Sequence, residues 1–376
     1  MRAASEAPTT PPRSSAGNDG PTRSRLDNLE RALQGPLNDA TDKAQQELRR
    51  LAQYEAPEAK VDFPKNRLAA VLVLLHLNPL GELSVTLTTR SKTMRSHPGE
   101  TALPGGKWDE GDGEEGIWTA LREANEEIGL PLPPSPPSPS SPRSSASHLL
   151  HLTTLPAFTS RTLLVVLPIV YLLLHPASSA SQSYLPSVLT PNPAEVDAVF
   201  HLPLRAFLGL SPPPATTISP PPPSTRTTRS STSHSRPPPG TETLSHSFAD
   251  YTWLLSRPYR LHSFSHPFPG VTPSAVTGLT ADICIEVALL AAYGPRSSSS
   301  SSSAVSGDAE EEEDEEGLLG FERFAPGQMK WGAIVEEALK VDTTQGRQKG
   351  LGRETEAENT RKVEVRAVPP PPADAA

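Results

Sequence analysis

Apolar residues at helical spacing mark the first ordered part of the chain. Leu26, Leu29 and Leu33 fall on one face of a helix, and residues 39–54 continue an amphipathic pattern. We therefore predict one or two helices within residues 25–62, ahead of the main domain.

Apolar runs of a different kind follow and predict strands. Residues 68–77 are almost entirely apolar, which is the pattern of a strand buried on both faces. After turn residues at 78–81, residues 83–89 alternate between apolar and polar, so a hairpin with the first strand is predicted. Residues 149–158 and 162–174 carry further strand-like patterns.

A helix over residues 117–128 has clear ends, because Gly129 and Pro131 terminate its pattern. Residues 279–293 also place their apolar side chains on one helical face. The remaining predicted elements are a turn and strand at 195–204, ordered structure at 251–264 and a final helix within 327–340.

Tracts rich in proline and serine divide the chain into ordered and low-complexity parts. Proline supplies 44 of the 376 residues, and tracts of this composition cannot bury enough apolar surface to pack. The predicted organisation is a disordered N-terminus (1–24), N-terminal helices (25–62), one α/β domain (63–293) with insertions at 131–148 and 211–247, a Ser-rich and acidic linker (294–326), and a C-terminal helix with a disordered tail (327–376).

The net charge of −9 comes largely from one tract. Residues 308–316 carry eight acidic side chains and no basic ones, so the remainder of the chain is near neutral. A surface that seeks nucleic acid is therefore not expected. The longest apolar run, residues 163–174, is too short to span a bilayer, so we expect no membrane span.

The number of cysteines and the sequences at the two termini are informative about the cellular compartment of the protein. Cys284 is the single cysteine, so no intrachain disulfide can form, which favours an intracellular protein. No secretory signal and no C-terminal peroxisomal address are recognised in the sequence.

The chemistry is concentrated on the helix at 117–128. Glu123, Glu126 and Glu127 fall within an arc of about 100° on a helical wheel, since successive residues are about 100° apart. Carboxylates this close repel one another and raise each other's pKa values unless a cation neutralises them. A hard divalent cation such as Mg²⁺ supplies that compensation, and the glycines at 105–106 leave the backbone free to approach a ligand.

This segment resembles the Nudix box, Gly-x5-Glu-x7-Arg-Glu-hydrophobic-x-Glu-Glu-x-Gly-hydrophobic, of the Nudix hydrolases. Its second half matches at Arg122, Glu123, Ala124, Glu126, Glu127, Gly129 and Leu130. The first half differs in length, because 15 residues separate Gly106 from Arg122, two more than in the box. Asp112 and Glu114 are therefore both candidates for the first acidic position, and we favour Asp112.

A second motif lies upstream and is similar to one in the coenzyme A diphosphatase branch of that family. It reads Leu-Thr-Thr-Arg-Ser-Lys-Thr-Met-Arg-Ser-His-Pro-Gly over residues 87–99 and continues to Pro-Gly-Gly at 104–106. Two guanidinium groups beside a glycine-rich turn suit a polyanionic substrate, because arginine binds phosphate oxygens in a bidentate manner. The predicted substrate-binding residues are Arg90, Ser91, Arg95 and Gly99.

The resemblance implies a Nudix fold of the α/β (α+β) class, a mixed β-sheet sandwiched between helices, with low-complexity insertions. It implies that Glu123 and Glu127 are the main ligands of Mg²⁺ or Mn²⁺. Further metal contacts would come from Glu126, Asp112 and the Gly105 carbonyl, and Arg122 would hold the carboxylates in place. The catalytic residues implied are Arg122, Glu126 and Glu127.

The function implied is hydrolysis of coenzyme A or acyl-CoA, small-molecule nucleotide substrates, to 3′,5′-ADP and 4′-phosphopantetheine or its acyl form. Two alternatives stay open: a Nudix pyrophosphatase acting on NADH or a nucleoside triphosphate, and a catalytically silent Nudix-fold binding module. The branch implies a peroxisomal or mitochondrial location, with a cytosolic one also open. The acyl-chain preference and oligomeric state are left open, and Glu100 is only a nearby candidate for the general base.

Four other residues attract attention but are interpreted as structural. His97 lies in the upstream motif beside a proline, and Cys284 lies in an apolar helix. Trp253 and Tyr259 could stack an adenine ring, although packing in the core is the default expectation.

Overall fold

The computed structural model describes residues 21–57, 59, 62–113, 116–132, 148–174, 189–209, 244–265, 274–295 and 318–341. The helices there are α1 (Pro21–Leu33), α2 (Asp42–Gln53), α3 (Ile117–Ile128), α4 (Gly278–Tyr293) and α5 (Trp331–Lys340). The strands are β1 (Leu68–Leu77), β2 (Leu83–Arg90), β3 (Thr101–Ala102), β4 (Gly105–Lys107), β5 (Leu149–Thr154), β6 (Phe158–Thr159), β7 (Val165–Leu173), β8 (Val196–Pro203), β9 (Ser245–Trp253), β10 (Arg257–Ser265) and β11 (Val276–Thr277).

The main sheet is mixed and has β1 near its centre, which confirms the predicted fold class. Its strand order is β3-β2-β1-β7-β5, with β4 paired to β1, β6 to β7 and β8 to β2. β1 and β7 run parallel, whereas the hairpin of β1 and β2 is antiparallel, as predicted, with Leu75 opposite Val85.

The two faces of β1 pack against different helices, and this explains its continuous apolar sequence. Val73 and Leu75 belong to the larger core, which also contains residues of α1, α2 and α4. Leu72 and Leu74 belong to the second core, together with Leu121 of α3. A strand covered on both faces needs apolar side chains at every position.

Helix α3 has the bounds that the sequence predicts. Gly129 follows it in the left-handed conformation, with φ of 64°, and its N–H donates to the Ala124 and Asn125 carbonyls. This C-terminal cap leaves the inner face of the helix in the core through Leu121, Ala124 and Ile128, all of which are fully buried. The carboxylate residues of α3 are therefore held on a rigid helix with a well-defined C-terminal cap.

The N-terminal helices differ from prediction at one boundary. α1 begins at Pro21, inside the range expected to be disordered, because proline is well suited to the first turn of a helix, where its missing N–H costs nothing. Thr41 caps α2 by accepting a hydrogen bond from the Ala44 N–H. Arg50 then donates to the Ala291 and Ala292 carbonyls near the end of α4, which joins the N-terminal helices to the domain.

A second sheet, with strand order β11-β10-β9, was not predicted as a sheet. β9 and β10 form a long antiparallel hairpin from the Ser245–Ser265 pair to the Trp253–Arg257 pair. Its first strand begins before residue 247, so the predicted end of the insertion at 211–247 is too late. The polar residues scattered through β9 conceal the strand, because most of its side chains are only partly buried.

Residues 318–326 were predicted to belong to a linker, and this is wrong. Phe321 stacks on His246 of β9 with ring centroids 3.8 Å apart, and Arg323 forms an ion pair with Glu286 of α4. The Gly320 N–H donates to the Leu208 carbonyl at 2.8 Å. These contacts hold the segment against the domain although its local sequence has little helical or strand pattern.

The final helix is confirmed as α5, and it packs onto the domain. Trp331 lies against Phe158, with ring centroids 4.9 Å apart. Arg67 donates to the Ala338 carbonyl at 2.7 Å, near the C-terminal end of the helix, where carbonyls lack intrahelical partners.

Several predictions concern residues outside the described ranges. They include the tails at 1–20 and 342–376, nearly all of the insertion at 131–148, residues 211–243, and the Ser-rich and acidic tract at 296–317. Across the part of the chain that is described, no helix is both long enough and apolar enough to cross a membrane.

Candidate active site

The glycine pair after Pro104 brings the chain into close contact with the central strand. β4 is antiparallel to β1, with Gly105 opposite Val71 and Gly106 opposite Ala70. Gly105 has φ of +157°, and a Cβ there would lie 2.4 Å from the Ala70 carbonyl oxygen. Only glycine fits this approach, which places the backbone of β4 directly beside α3.

Gly106 leaves space for one of the helix carboxylates. A Cβ on Gly106 would lie 2.4 Å from Cδ and Oε1 of Glu123. The Glu123 carboxylate therefore occupies the position that any larger residue would fill.

Glu127 is the most deeply placed of the three glutamates. Its side chain is only 6% exposed, Arg90 Nη1 lies 3.6 Å from Oε1, and the Gly105 N–H donates to Oε2 at 3.3 Å. Burial raises the pKa of Glu127 to about 7, and repulsion from Glu123 and Glu195 adds to this effect, which Arg90 and the Gly105 N–H oppose. Burial also raises the pKa of Glu123, and repulsion from Glu126 and Glu195 contributes.

Arg122 organises the outer side of this group. Its Nε and Nη2 donate to the two oxygens of Asp112 at 2.8 and 2.9 Å, and Nη2 also reaches the Lys107 carbonyl at 3.0 Å. Nη1 donates to Glu123 at 3.0 Å and to Glu126 at 3.1 Å. The predicted role of Arg122, holding the carboxylates in place, agrees with these contacts.

Asp112, for which a metal contact is predicted, is bonded to Arg122 in the structure. Both of its oxygens accept from Arg122, Oδ2 also accepts the Asp109 N–H at 2.9 Å, and the side chain is only 1% exposed. These hydrogen bonds lower the pKa of Asp112 from its ordinary value although burial opposes them. Asp112 is thus committed to orienting Arg122. The alternative residue, Glu114, lies outside the described residues.

The carboxylate oxygens at this site suit a divalent cation, but they do not surround such an ion completely. Within the described ranges, no three His, Cys, Asp or Glu side chains are grouped closely enough to form a metal cluster on their own. Glu123 and Glu127 are nevertheless two partly desolvated carboxylates on adjacent turns of α3, each with a raised pKa. A site with few protein carboxylates, completed by water and phosphate oxygens, is the form that Mg²⁺ favours. Glu126, whose side chain is 50% exposed, lies at the edge of this group.

The predicted substrate-binding residues lie on the loop that leaves β2. The Gly99 N–H donates to the Arg90 carbonyl at 3.0 Å, and Gly99 has φ of +73°, a conformation that favours glycine. Ser91 is buried, and its hydroxyl is bonded to that of Thr93. Arg95 is exposed and makes no hydrogen bond or ion pair with any residue in the described ranges. The loop thus joins Arg90, beside Glu127, to an arginine that is free to bind an anion.

The residues interpreted as structural are found in structural settings. His97 Nδ1 lies 2.9 Å from Oε2 of Glu100, so the earlier candidate for a general base is paired with this histidine. Cys284 is fully buried. Trp253 and Tyr259 pack together with ring centroids 5.2 Å apart, and the Tyr259 hydroxyl donates to Asp282.

One acidic residue near the site was given no role by the sequence. Glu195 precedes β8, and it repels both Glu123 and Glu127 strongly enough to raise their pKa values. The signal available in the sequence was its position at the start of the predicted turn and strand at 195–204.

Comparisons with known proteins agree with this geometry. The chain matches the NUDIX domain family over residues 66–162. It is 40% identical over 155 residues to Nudix hydrolase 22, chloroplastic, of Arabidopsis thaliana, which covers 41% of this chain and 43% of that protein. It is 34% identical over 140 residues to the peroxisomal coenzyme A diphosphatase ndx-8 of Caenorhabditis elegans, covering 37% of this chain and 50% of that one. The chain thus spans half or less of the length of these two relatives.

A bacterial relative is matched over more of its length. The chain is 38% identical over 155 residues to the Nudix hydrolase NudL of Photorhabdus laumondii, covering 41% of this chain and 68% of that protein. The resemblance drawn from the box at residues 106–130 is therefore confirmed, and the chain belongs to the Nudix hydrolase family.

Proposed function

We propose that this protein is a divalent-metal-dependent diphosphatase that hydrolyses coenzyme A or acyl-CoA to 3′,5′-ADP and 4′-phosphopantetheine or its acyl form. The observation that carries the proposal is the placement of Arg90, from the motif at 87–99, 3.6 Å from Glu127 of the box helix. The two motifs recognised separately in the sequence thereby contribute to one site.

The metal would be Mg²⁺ or Mn²⁺, held by Glu123 and Glu127 with help from Glu126 and the Gly105 carbonyl. When bound, such a cation would polarise phosphoryl oxygens and make a water molecule more acidic near neutral pH. Arg122, fixed by Asp112, orients Glu123 and Glu126 from the outer side.

Arg90 and Arg95 would bind the phosphates of the substrate. Arg90 offsets part of the charge of Glu127, and a cation at Glu127 would take over that task, which would leave the guanidinium group for a phosphate oxygen. Arg95 lies on the same loop and is exposed. A substrate carrying a diphosphate and a further phosphate, as coenzyme A does, suits two guanidinium groups beside a cation.

Similarity to the worm protein named a coenzyme A diphosphatase supports this choice of substrate. The same name supports a peroxisomal location, and the sequence by itself leaves a mitochondrial or cytosolic one open. Imaging the tagged full-length protein beside markers of each compartment would test the location, and secretion of the protein would contradict it.

The test compares turnover of coenzyme A, NADH and 8-oxo-dGTP at saturating Mg²⁺, with the products identified by mass spectrometry. We expect coenzyme A to be the best substrate and 3′,5′-ADP to be released. Preference for either other nucleotide would overturn the substrate claim.

The catalytic claim is tested with Glu127→Gln, which keeps the size of the side chain but removes its charge. We expect activity to fall at least about 100-fold, a loss of the size associated with removing one preorganised charge from a site. Glu110→Gln is the matched control, since Glu110 lies in the segment that precedes α3 and is exposed. Equal activity of Glu127→Gln and wild type would instead indicate a catalytically silent binding module.

A further inference from the structure

We propose that Asp197 of β8 is a positioning residue, whose carboxylate holds the loop that carries Arg95 in the shape that binds the phosphates of the substrate. This inference rests on the function proposed for that loop, and it concerns a residue outside both sequence motifs. Its structural basis is an irregularity in the pairing of β8 with β2, next to Arg90.

The ladder between β2 and β8 contains one extra residue on the β8 strand. Thr89 of β2 lies opposite Ala198. The next residue, Arg90, lies opposite Val196, so Asp197 has no residue opposite it. An extra residue of this kind is a β-bulge, which bends the strand and changes the direction of nearby side chains. Bulges are frequent beside active sites, and this one adjoins Arg90.

The bulge affects which acid pairs with Arg90. Without the extra residue, Asp197 would lie directly opposite Arg90, and side chains of opposite charge at such positions attract each other. In the structure Arg90 instead forms an ion pair with Glu127 of α3, where Nη1 lies 3.6 Å from Oε1. The bulge therefore leaves Arg90 at the candidate active site and makes the Asp197 carboxylate available for another contact.

That other contact is with the loop after β2. Asp197 Oδ2 accepts the Lys92 N–H at 3.3 Å. The preceding Ser91 N–H donates to the Glu195 carbonyl at 2.8 Å, so two consecutive amides of the loop are bonded to the chain at the start of β8. Of these two bonds, the one from Lys92 depends on a side chain. It can therefore be removed by substitution without changing the backbone pairing.

These two bonds attach a tight turn that leads into Arg95. Within the turn, Ser91 Oγ lies 2.9 Å from Thr93 Oγ1 and accepts the Thr93 N–H at 3.4 Å. The Ser91 carbonyl accepts the Met94 N–H at 3.1 Å. The turn is thus closed on Ser91, and the bond of Lys92 fixes its orientation relative to β8. Arg95 follows directly and is exposed, so the direction of its guanidinium group depends on how the turn is attached.

Charge alone would disfavour an acid at this place. A carboxylate near a loop that binds phosphates repels them, so an effect of charge alone predicts that removing Asp197 strengthens substrate binding. The hydrogen bond predicts the opposite, because its loss loosens the turn that presents Arg95. Asparagine separates the two effects, since it removes the charge and keeps an oxygen that can accept the Lys92 N–H.

The first measurement is amide hydrogen exchange on the full chain, without substrate. We expect a peptide covering residues 91–95 to exchange about fivefold faster in Asp197→Ala, the effect of one lost hydrogen bond on local opening, and about as in the wild type in Asp197→Asn. Glu82→Ala is the matched control, because Glu82 is an exposed acid beside the opposite end of β2. Exchange in Asp197→Ala equal to that of the wild type and of Glu82→Ala would overturn the role of Asp197.

The second measurement is steady-state kinetics with coenzyme A at saturating Mg²⁺. Asp197→Ala should raise KM by about three- to tenfold, the scale of one hydrogen bond, while kcat stays within about twofold because the carboxylates of α3 are untouched. Asp197→Asn should have a KM equal to that of the wild type or lower. Thermal unfolding should show that all three variants remain folded. An unchanged or lower KM in Asp197→Ala would overturn the positioning role while the proposed function stands.

The opposite failure gives a different result. If the wild type hydrolyses NADH or 8-oxo-dGTP in preference to coenzyme A, the substrate proposal fails. The same variants are then compared with the preferred nucleotide, and a higher KM in Asp197→Ala alone would still support the role of Asp197. A wild type that hydrolyses none of the three nucleotides would overturn both proposals.

Discussion

The carboxylate of Glu123 lies against the backbone of Gly106, at the position that a side chain on Gly106 would occupy. A Cβ there would be 2.4 Å from Cδ and 2.5 Å from Oε2. Helix α3 and strand β4 are therefore as close as a glycine allows, and the direction of the Glu123 carboxylate depends on the absence of one methyl group.

Gly106→Ala should displace Glu123 without unfolding the protein, because the atom that would be struck is the far end of a flexible side chain. We expect Mn²⁺ affinity to fall by about tenfold or more, since an orienting contact of the metal centre is lost. Calorimetric titration with Mn²⁺ measures this loss.

Two neighbouring glycines provide the controls. A Cβ on Gly111 would meet nothing within 4 Å, so Gly111→Ala should bind Mn²⁺ like the wild type. Gly105→Ala would instead strike the Ala70 carbonyl of β1, so it should lower the thermal midpoint markedly. Unchanged Mn²⁺ affinity in Gly106→Ala would show that Glu123 does not bind the cation.

The contributions of Arg122 and Asp112 to the free energy of unfolding should be strongly coupled. Asp112 is buried and receives two hydrogen bonds from Arg122, so Arg122→Leu alone would leave a buried charge with little compensation. We expect that single variant to lose about 3 kcal/mol in the free energy of unfolding. Adding Asp112→Asn should recover part of the loss, giving a coupling of about 1–3 kcal/mol in urea titrations. Arg95→Leu, at an exposed position, should be near neutral; additive losses at Arg122 and Asp112 would contradict the coupling.

The affinity for divalent metal should rise with pH through neutrality. The pKa of Glu127 is raised to about 7, chiefly by burial, so without a cation this carboxyl carries a proton at lower pH. Metal binding must displace that proton, and the apparent affinity should therefore increase between about pH 6 and pH 8 and then level off. Glu127→Gln should abolish most of this dependence. A flat profile for the wild type over the same interval would be inconsistent with a protonated Glu127.

Acid should destabilise the fold through a pair of histidines under residues 318–326. His262 Nε2 lies 2.7 Å from the Arg323 carbonyl, which can only accept, so its Nδ1 accepts from His246 Nε2 at 3.0 Å. This arrangement requires the His262 ring to be neutral, and two charged rings at this distance would repel each other. Burial lowers the pKa of His246 to about 3 and that of His262 to about 4.

The sign of the pH effect follows from these values. Below about pH 6.5 these histidines are protonated in the unfolded chain but stay neutral in the folded protein. The free energy of unfolding therefore falls as the pH decreases from 6.5 toward 4. His246→Phe keeps an aromatic ring beside Phe321 and removes one titrating group. Its free energy of unfolding should therefore depend less on pH near pH 5, by up to about 1.4 kcal/mol per pH unit. Parallel curves for the variant and the wild type in urea titrations from pH 4.5 to 7 would rule this out.

Local patterns were sufficient to predict much of the central domain. The helix at 117–128 and the hairpin of β1 and β2 were predicted with nearly the observed bounds, because side-chain periodicity and terminating glycines act over a few residues. The hairpin of β9 and β10 and the packing of residues 318–326 were not predicted. The partners of residues 318–326 are distant in the chain, and the polar residues of the hairpin take part in contacts such as those of Arg260 with Asp250 and Glu322, which the local pattern does not reveal.

The sequence alone established the box helix, the glycine pair and the arginine motif, because the chemistry of each is contained in a short stretch of residues. It left open whether Asp112 or Glu114 takes the first acidic position of the box, and it gave Glu195 no role. Two contacts depend on the fold: Asp112 turns both oxygens toward Arg122, and the pairing of β8 with β2 brings Glu195 near enough to Glu127 to help raise its pKa. Repulsion and pairing between charges depend on distance in space, and residues far apart in the chain acquire that proximity only when the sheet has formed.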